Sequence, residues 1–324
     1  MNAVKNFIKL TRAYTLFMTL ASCLVIFSYA FYDENFSFFS FFVLVFALCC
    51  VHLGANLYDD YSDIKSKFAQ GIKLENIKFD GFVSKAELIL NKTYSIQTVR
   101  LIINILFVIA TGLGLCFVVG SGLFVLLFMI AGAILTLFYP YSARYGLSEL
   151  IVGLIWGPLM ILGGYYAICG SLNLYLIFLS FAIFFTTIVL LHVNNIMDWE
   201  FDEKNGKQTI ARRAKTKPNA IKYLIAFILI PYLIVISGIF SGNFNPCMLL
   251  VFLTLPIAIE LVKSMKNYIE IKDVQFKPKW YYGFFENWKE IQEQKIDFLM
   301  YRMYLARNLS FFFALFATIG AMIG

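Results

Sequence analysis

The chain has 324 residues, 60% of them hydrophobic and only 15% charged, with a formal net charge of +7. A soluble domain carries about 45–50% apolar residues and about 25% charge. The long uncharged runs therefore exclude a soluble globular fold and specify an all-α, polytopic membrane protein. The six cysteines, at 23, 49, 50, 116, 169 and 247, form no CxxC pair. They indicate neither a zinc site nor a disulfide framework, and are read as small buried hydrophobes.

Lys5, Lys9 and Arg12 precede the first apolar run as in a signal peptide, and Leu20-Ala21-Ser22-Cys23 resembles a lipoprotein cleavage box. The run continues through Leu24-Val25-Ile26-Phe27, long enough to span, so an uncleaved first helix is expected. A spanning helix needs about 20 mostly apolar residues. Nine such stretches occur, at 13–32, 37–58, 98–119, 121–139, 148–169, 173–197, 219–240, 245–264 and 305–323. Threaded alternately from a cytoplasmic N-terminus, they leave segments 1–12, 59–97, 140–147, 198–218 and 265–304 on the inner side. All 27 Lys and Arg fall in these segments or at the helix ends beside them. The outer side holds Asp33 and Glu34 and no basic residue, which predicts N-in, C-out topology in the cell membrane. No polar linker divides the chain, so 1–324 is expected to be one membrane domain. Segment 265–304, with Trp280, Tyr281, Tyr282, Phe284, Phe285 and Trp288, is expected to be an insertion of one or two helices at the interface.

Two acidic stretches stand out. Asn56-Leu57-Tyr58-Asp59-Asp60-Tyr61-Ser62-Asp63 ends the second apolar run, and Asn194 to Lys207 ends the sixth. Residues four apart share a helix face, so Asp59/Asp63 and Asp198/Asp202 are carboxylate pairs. Like charges repel at that spacing, and carboxylates near lipid are costly, so a cation between the clusters is expected. Their separation by four helices suggests two four-helix repeats plus a ninth helix, with both motifs on one side facing a central cavity. Lys65, Lys67, Lys73 and Lys78 follow the first motif; Lys204, Lys207, Arg212 and Arg213 follow the second. Magnesium is usually held by one or two carboxylates plus phosphate oxygens and water, whereas nothing resembles a calcium loop. An anionic head beside an apolar interior fits a polyprenyl diphosphate. A metal makes the diphosphate a better leaving group. Aromatic faces, among 35 Phe and 19 Tyr, stabilise the allylic cation that results, and an electron-rich aromatic acceptor would take it up. The rival class is a cation-coupled transporter or channel, which predicts carboxylates near the bilayer midplane on broken helices.

Over nearly its whole length the sequence resembles the UbiA-type intramembrane prenyltransferase family, most of all the subgroup that prenylates 1,4-dihydroxy-2-naphthoate in menaquinone synthesis. Asn56 to Asp63 resembles that subgroup's N-L-x-N-D-Y-x-D motif, and Asn194 to Thr209 its N-N-x-x-D-x-x-x-D-x-x-x-G-K-x-T motif. Tyr139-Pro140, Tyr145-Gly146-Leu147-Ser148-Glu149 and Gly157-Pro158-Leu159 resemble its helix 4–5 connection, and Arg12 near Thr15-Leu16 resembles its start. The resemblance implies nine helices around a central cavity, two Mg²⁺ ions, an isoprenyl diphosphate donor and prenylation with loss of the acceptor's carboxylate. The sequence departs from the pattern at Asp59, usually Asn, and at Lys67, usually acidic. It also lacks the Arg expected before Gly81, for which Lys73 or Lys78 would substitute.

The expected Mg²⁺ ligands and catalytic acids are Asp60, Asp63, Asp198 and Asp202, with Asp59 assisting. Lys73, Lys78, Lys207 and Arg213 are expected to hold diphosphate, Asn56, Asn194 and Arg12 to contact substrate, and Arg144 to meet an acceptor carboxylate. Tyr139 is expected in the cavity, as a catalytic residue. Glu149 is either catalytic or a helix-start acid, and His52 and His192 are expected to be hydrogen-bonded packing residues. The expected partners are a polyprenyl diphosphate, an aromatic acceptor such as dihydroxynaphthoate or 4-hydroxybenzoate, and the bilayer. No nucleic acid and no obligate protein partner is expected.

Overall fold

The structure, a computed structural model, describes residues 2–69, 87–90, 93–270 and 276–324. An amphipathic helix, α1 (Asn2–Leu10), leads into Arg12, whose left-handed backbone (φ 52°, ψ 39°) turns the chain into the first span. The spans that follow are α2 (Phe17–Ala30, with a 3₁₀ turn before it), α3 (Phe38–Ala69), α5 (Ile96–Ser121) and α6 (Leu123–Ser142), with the short α4 (Glu87–Leu90) ahead of α5. The fifth span is α7 (Ser148–Leu154) continued through a π-helical turn (Ile155–Leu159) into α8 (Met160–Cys169). The sixth is α9 (Leu174–Met197), followed by the short α10 (Trp199–Lys204) and α11 (Ile210–Arg213). The last three are α12 (Lys217–Phe240), a 3₁₀ stretch (Pro246–Thr254) running into α13 (Leu255–Ile269), and α15 (Asp297–Ile323), with α14 (Trp288–Glu293) just before it. Among the described residues there are nine helices long and apolar enough to cross a membrane and no strand, as the sequence predicts.

Two boundaries move by more than two turns. The second span runs to Ala69 rather than 58, and the ninth starts at Asp297 rather than 305. Apolarity stops where the bilayer stops, but backbone hydrogen bonding does not. At 1.5 Å per residue α3 is about 48 Å long, well beyond the roughly 30 Å hydrocarbon layer. The first acidic motif therefore lies inside a continuous helix.

Each span packs on the next, and α15 packs on α2, so the nine close into a circuit, with further contacts from α15 to α9 and from α2 to α8. One end of the bundle is tied by Tyr32 donating to the Met322 carbonyl (2.9 Å), Ser121 to Ala167 (2.6 Å) and Asn245 to Gly320 (3.0 Å). The other end carries both acidic motifs and is tied by the Gln208 amide donating to Ala143 (2.7 Å) and Tyr268 to Met197 (3.1 Å).

The π turn has an identifiable cause. Pro158 cannot donate to the helix ladder, and Gly157 sits outside helical dihedrals. A Cβ at Gly157 would stand 2.7 Å from the Ser180 carbonyl of α9, so only glycine lets the two backbones approach this closely. The Trp156 carbonyl is captured by the Ser22 hydroxyl at 2.5 Å.

Residues 276–296 hold one 3₁₀ turn (Trp280–Tyr282) and the short α14, folded back on α15. Asn308 donates to the Tyr282 and Phe284 carbonyls (2.8 and 3.0 Å), and Arg307 reaches Glu286 (2.8 Å) and the Phe284 carbonyl (2.7 Å). Backbone carbonyls that no helix satisfies are thus met by two polar side chains of the ninth span.

Candidate active site

The first motif is built around Arg12. Its guanidinium donates to the Asn56 carbonyl (2.9 Å) and to Asp59 (3.1 Å), and lies 3.4 Å from Asp60. Asp59 and Asp60 are buried. Burial opposes the charge on Arg12, but Asp60 and Asp59 outweigh it and push its pKa up. Asp63, half-buried, lies one turn beyond Asp59 on the same face of α3. Half-buried Tyr139 on α6 is close enough to act on the Arg12 charge.

A chain of side-chain hydrogen bonds holds this group. Thr15 donates to the Arg12 carbonyl (2.8 Å), which can only accept. The Thr15 oxygen then accepts from Asn56 (3.1 Å) and from His52 Nε2 (3.0 Å), so Nε2 carries the imidazole hydrogen. His52 Nδ1 therefore accepts from Thr19 (2.7 Å), whose oxygen accepts from Trp156 Nε1 (3.2 Å). One chain of donors runs from the π turn to Arg12 and Asn56. His52 is a packing hydrogen-bonder, as expected.

The second motif is made differently. α9 ends at Met197, Asp198 adopts φ −85° and ψ 16°, and α10 starts at Trp199. These dihedrals fall in the bridge region where many active-site residues sit. Asn194 donates to Asp198 (3.0 Å), and the Asp202 amide still donates to the Asp198 carbonyl (2.8 Å), keeping the two acids adjacent across the break. Asp202 is buried and pairs with half-buried Lys207 at 3.3 Å. Beside them Lys217 donates to Glu200 (2.6 Å), and that hydrogen bond holds the Glu200 carboxyl below its usual range.

Arg213, Arg144 and Glu149 sit in or against the helix 4–5 connection. Arg213 donates to the Tyr145 carbonyl (2.6 Å) and lies against Gly146, where a Cβ would collide with its guanidinium and with the Gln208 carbonyl oxygen. It fastens the helix 4–5 connection to the loop after the second motif. Arg144 is exposed in the Ala143–Tyr145 turn. Glu149 is fully buried, accepts from Ser148 (2.8 Å), and lies 3.7 Å from His192 Nδ1, while His192 Nε2 donates to the Ala220 carbonyl (3.0 Å). Lys73, Lys78 and Gly81 lie outside the described residues.

Among the described residues no three His, Cys, Asp or Glu side chains converge into a metal cage. The donors are all carboxylate and amide oxygens, in two groups, Asp59, Asp60 and Asp63 in the first and Asp198 and Asp202 in the second, with a cation or amide beside each. That set suits magnesium, which takes one or two carboxylates and completes its shell with phosphate and water. It does not suit zinc, which takes nitrogen or sulfur. Sequence reasoning missed Thr19, Trp156 and Tyr268. A lone tryptophan next to a Gly-Pro pair was the available signal for Trp156.

A family model described as the UbiA prenyltransferase family matches residues 15–276. The chain is 22% identical over 260 residues to a 1,4-dihydroxy-2-naphthoate octaprenyltransferase of Bacillus subtilis (strain 168), covering 79% of this chain and 80% of that protein. Among solved structures, it superposes on a digeranylgeranylglyceryl phosphate synthase with a TM-score of 0.61, at 14% identity over 100% of both chains. A UbiA homologue from Aeropyrum pernix K1, without ligand, gives 0.60 at 13% identity, over 95% of this chain and 97% of that one. A UbiA homologue from Archaeoglobus fulgidus, bound to GPP and Mg²⁺, gives 0.58 at 13% identity, over 94% and 99%. At these identities the solved structures speak for the fold.

Proposed function

The chain belongs to the UbiA prenyltransferase family and is a multi-pass membrane transferase, and from that premise we propose that it transfers a polyprenyl group from a polyprenyl diphosphate to an aromatic quinone precursor, 1,4-dihydroxy-2-naphthoate, with Mg²⁺. The supporting observation is that two acidic groups offering only oxygen donors, with Arg12 beside one and Asn194 and Lys207 beside the other, sit at the same end of a closed apolar bundle. The whole chain acts as one membrane domain, with the acidic end and the N-terminus on the cytoplasmic side, as the distribution of Lys and Arg favours.

Asp60 and Asp63, with Asp59, would hold magnesium at the first motif, and Asp198 and Asp202 at the second. Bound there, the metal would withdraw charge from the diphosphate and ease its departure. Lys207 would shift from Asp202 onto a diphosphate oxygen as a charge-assisted donor. Arg12 holds Asp59 and Asp60 in register, and Arg213 fixes the wall on which Tyr145 and Gly146 sit. The donor's allylic C–O bond would break with its pair leaving on diphosphate, the acceptor ring carbon that bears the carboxylate would bond to the prenyl carbon, and the bond to the carboxylate would then break, releasing carbon dioxide and returning that pair to the ring. The name of the Bacillus subtilis relative and the GPP and Mg²⁺ in the Archaeoglobus fulgidus homologue support this acceptor, donor and metal.

The transporter reading is less favoured. Asn56 lies about 27 Å along α3 from Phe38, close to the full thickness of the hydrocarbon layer, so the acids fall at a boundary rather than the midplane. The test uses purified protein, Mg²⁺ and geranyl or farnesyl diphosphate with dihydroxynaphthoate or 4-hydroxybenzoate, read by mass spectrometry. A prenylated naphthoquinol lighter by carbon dioxide is expected. Product from the benzoate alone would overturn the acceptor. No product from folded protein, together with cation flux in liposomes that requires Asp198, would overturn the enzyme.

A further inference from the structure

The helix break that presents Asp198 is held from two other spans. The Met197 carbonyl, the last of α9, belongs to the end carbonyls that a helix leaves without an intrahelical partner. It accepts from the Tyr268 hydroxyl of α13 at 3.1 Å. The Tyr268 ring is in turn flanked by two cations. The Arg302 guanidinium of α15 lies 5.0 Å from its centroid, and Lys217 Nζ, which also pairs with Glu200 at 2.6 Å, lies 5.6 Å away. Arg302 is only 2% exposed. No carboxylate lies within ion-pairing distance of it among the described residues; it is held by the Ser264 carbonyl (3.1 Å), the Phe298 carbonyl, and the Phe276 ring (4.9 Å) on the face of the interfacial segment. A buried charge without an acid is costly, and two aromatic faces repay part of that cost. The result is a rigid strut from the interfacial segment through Arg302 and Tyr268 to the residue before Asp198.

We infer that Tyr268, backed by Arg302, is a positioning residue that sets the aim of Asp198 toward a metal-bound diphosphate. This rests on the reading of Asp198 as a metal ligand. Removing the hydroxyl while keeping the ring frees the end of α9 without dismantling the stack. It also gives segment 276–296 a task, since Phe276 closes the far side of Arg302 and so stiffens the strut.

The test compares Tyr268→Phe with Tyr304→Phe. Tyr304 donates to the Glu286 carbonyl at 3.0 Å, away from the break, and its variant controls for the loss of a tyrosine hydroxyl at this end of the bundle. Two readouts are taken, amide hydrogen exchange over 197–202 in the ligand-free protein and the Mg²⁺ concentration that half-saturates binding of an unreactive geranyl diphosphate analogue. Tyr268→Phe is expected to speed exchange at Asp198 and Asp202 and to raise the Mg²⁺ requirement, each by about three- to tenfold, the equivalent of one net hydrogen bond. Tyr304→Phe is expected to change neither. Arg302→Met serves as a second variant that disturbs the strut without touching the hydroxyl, and it is expected to show the same two effects. Unchanged exchange in Tyr268→Phe would overturn the inference whether or not the protein transfers prenyl groups. Faster exchange with an unchanged Mg²⁺ requirement would overturn it too, because the strut would then be structural only. If the wild-type protein binds no analogue, the reading of the site fails, and the exchange data alone decide whether Tyr268 holds the break.

Discussion

The two acidic motifs share a spacing and differ in construction. In the first, Asp59, Asp60 and Asp63 ride on one unbroken helix, and their counter-charge, Arg12, arrives from a different part of the chain. In the second, Asp198 occupies a break between two helices, and the partners are local: Asn194 a turn before it, and Lys207 just past Asp202. A continuous helix keeps two carboxylates in register through its own hydrogen bonds, so its only need is a cation, which can come from anywhere. A broken helix must restore register with side chains. The first motif is therefore coupled to folding, because removing Arg12 takes a guanidinium away from two buried acids. The second is coupled to presentation, because its geometry depends on single hydrogen bonds.

The largest effect expected is common to both. Asp63→Ala and Asp198→Ala should each lower turnover about 10³-fold or more, the loss of several kcal/mol of charge stabilisation at about 1.4 kcal/mol per decade. Insertion into the membrane should be intact, and wild-type rates in both variants would remove the motifs from the chemistry. Stability then separates them. Arg12→Ala should cost about 3 kcal/mol, since it removes one member of a buried ion-pair group, visible as a lower unfolding temperature in detergent. Asn194→Ala should move that temperature much less, and equal shifts would erase the contrast. Lys207→Ala should raise the KM for donor about tenfold, as expected for one charge-assisted hydrogen bond. An unchanged KM would confine Lys207 to its pairing with Asp202. The smallest effect is at Arg213. Because it is spent on the Tyr145 carbonyl, Arg213→Ala should cost about 1 kcal/mol of stability and leave the donor KM within about twofold. A large rise in KM would return it to diphosphate binding.

The sequence makes the spans legible because hydropathy over about 20 residues is a local property. It makes the acidic motifs legible because charge at a lipid boundary demands a reason. It does not reveal that α3 continues to Ala69, since a helix beyond the bilayer is sustained by backbone bonds and tertiary packing that leave no apolar trace. Nor does it reveal that Arg213 faces Tyr145, or that Tyr268 caps Met197. Both contacts join residues about 70 positions apart, and only the closing of the circuit brings them together. The histidines show the intermediate case. A lone His late in an apolar run is readable as a packing residue, while the proton on His52 Nε2 follows only once Thr15 is seen to spend its hydrogen on the Arg12 carbonyl.

The central claim is that two differently built motifs act together on one metal-bound diphosphate. The most direct test is calorimetric binding of an unreactive geranyl diphosphate analogue to wild type, Asp63→Asn and Asp198→Asn, with and without Mg²⁺. Binding that requires Mg²⁺ in the wild type and weakens at least about tenfold in each variant, one charge-assisted contact or more, is the predicted result. Either variant binding as tightly as the wild type, or wild-type binding that ignores Mg²⁺, would contradict it.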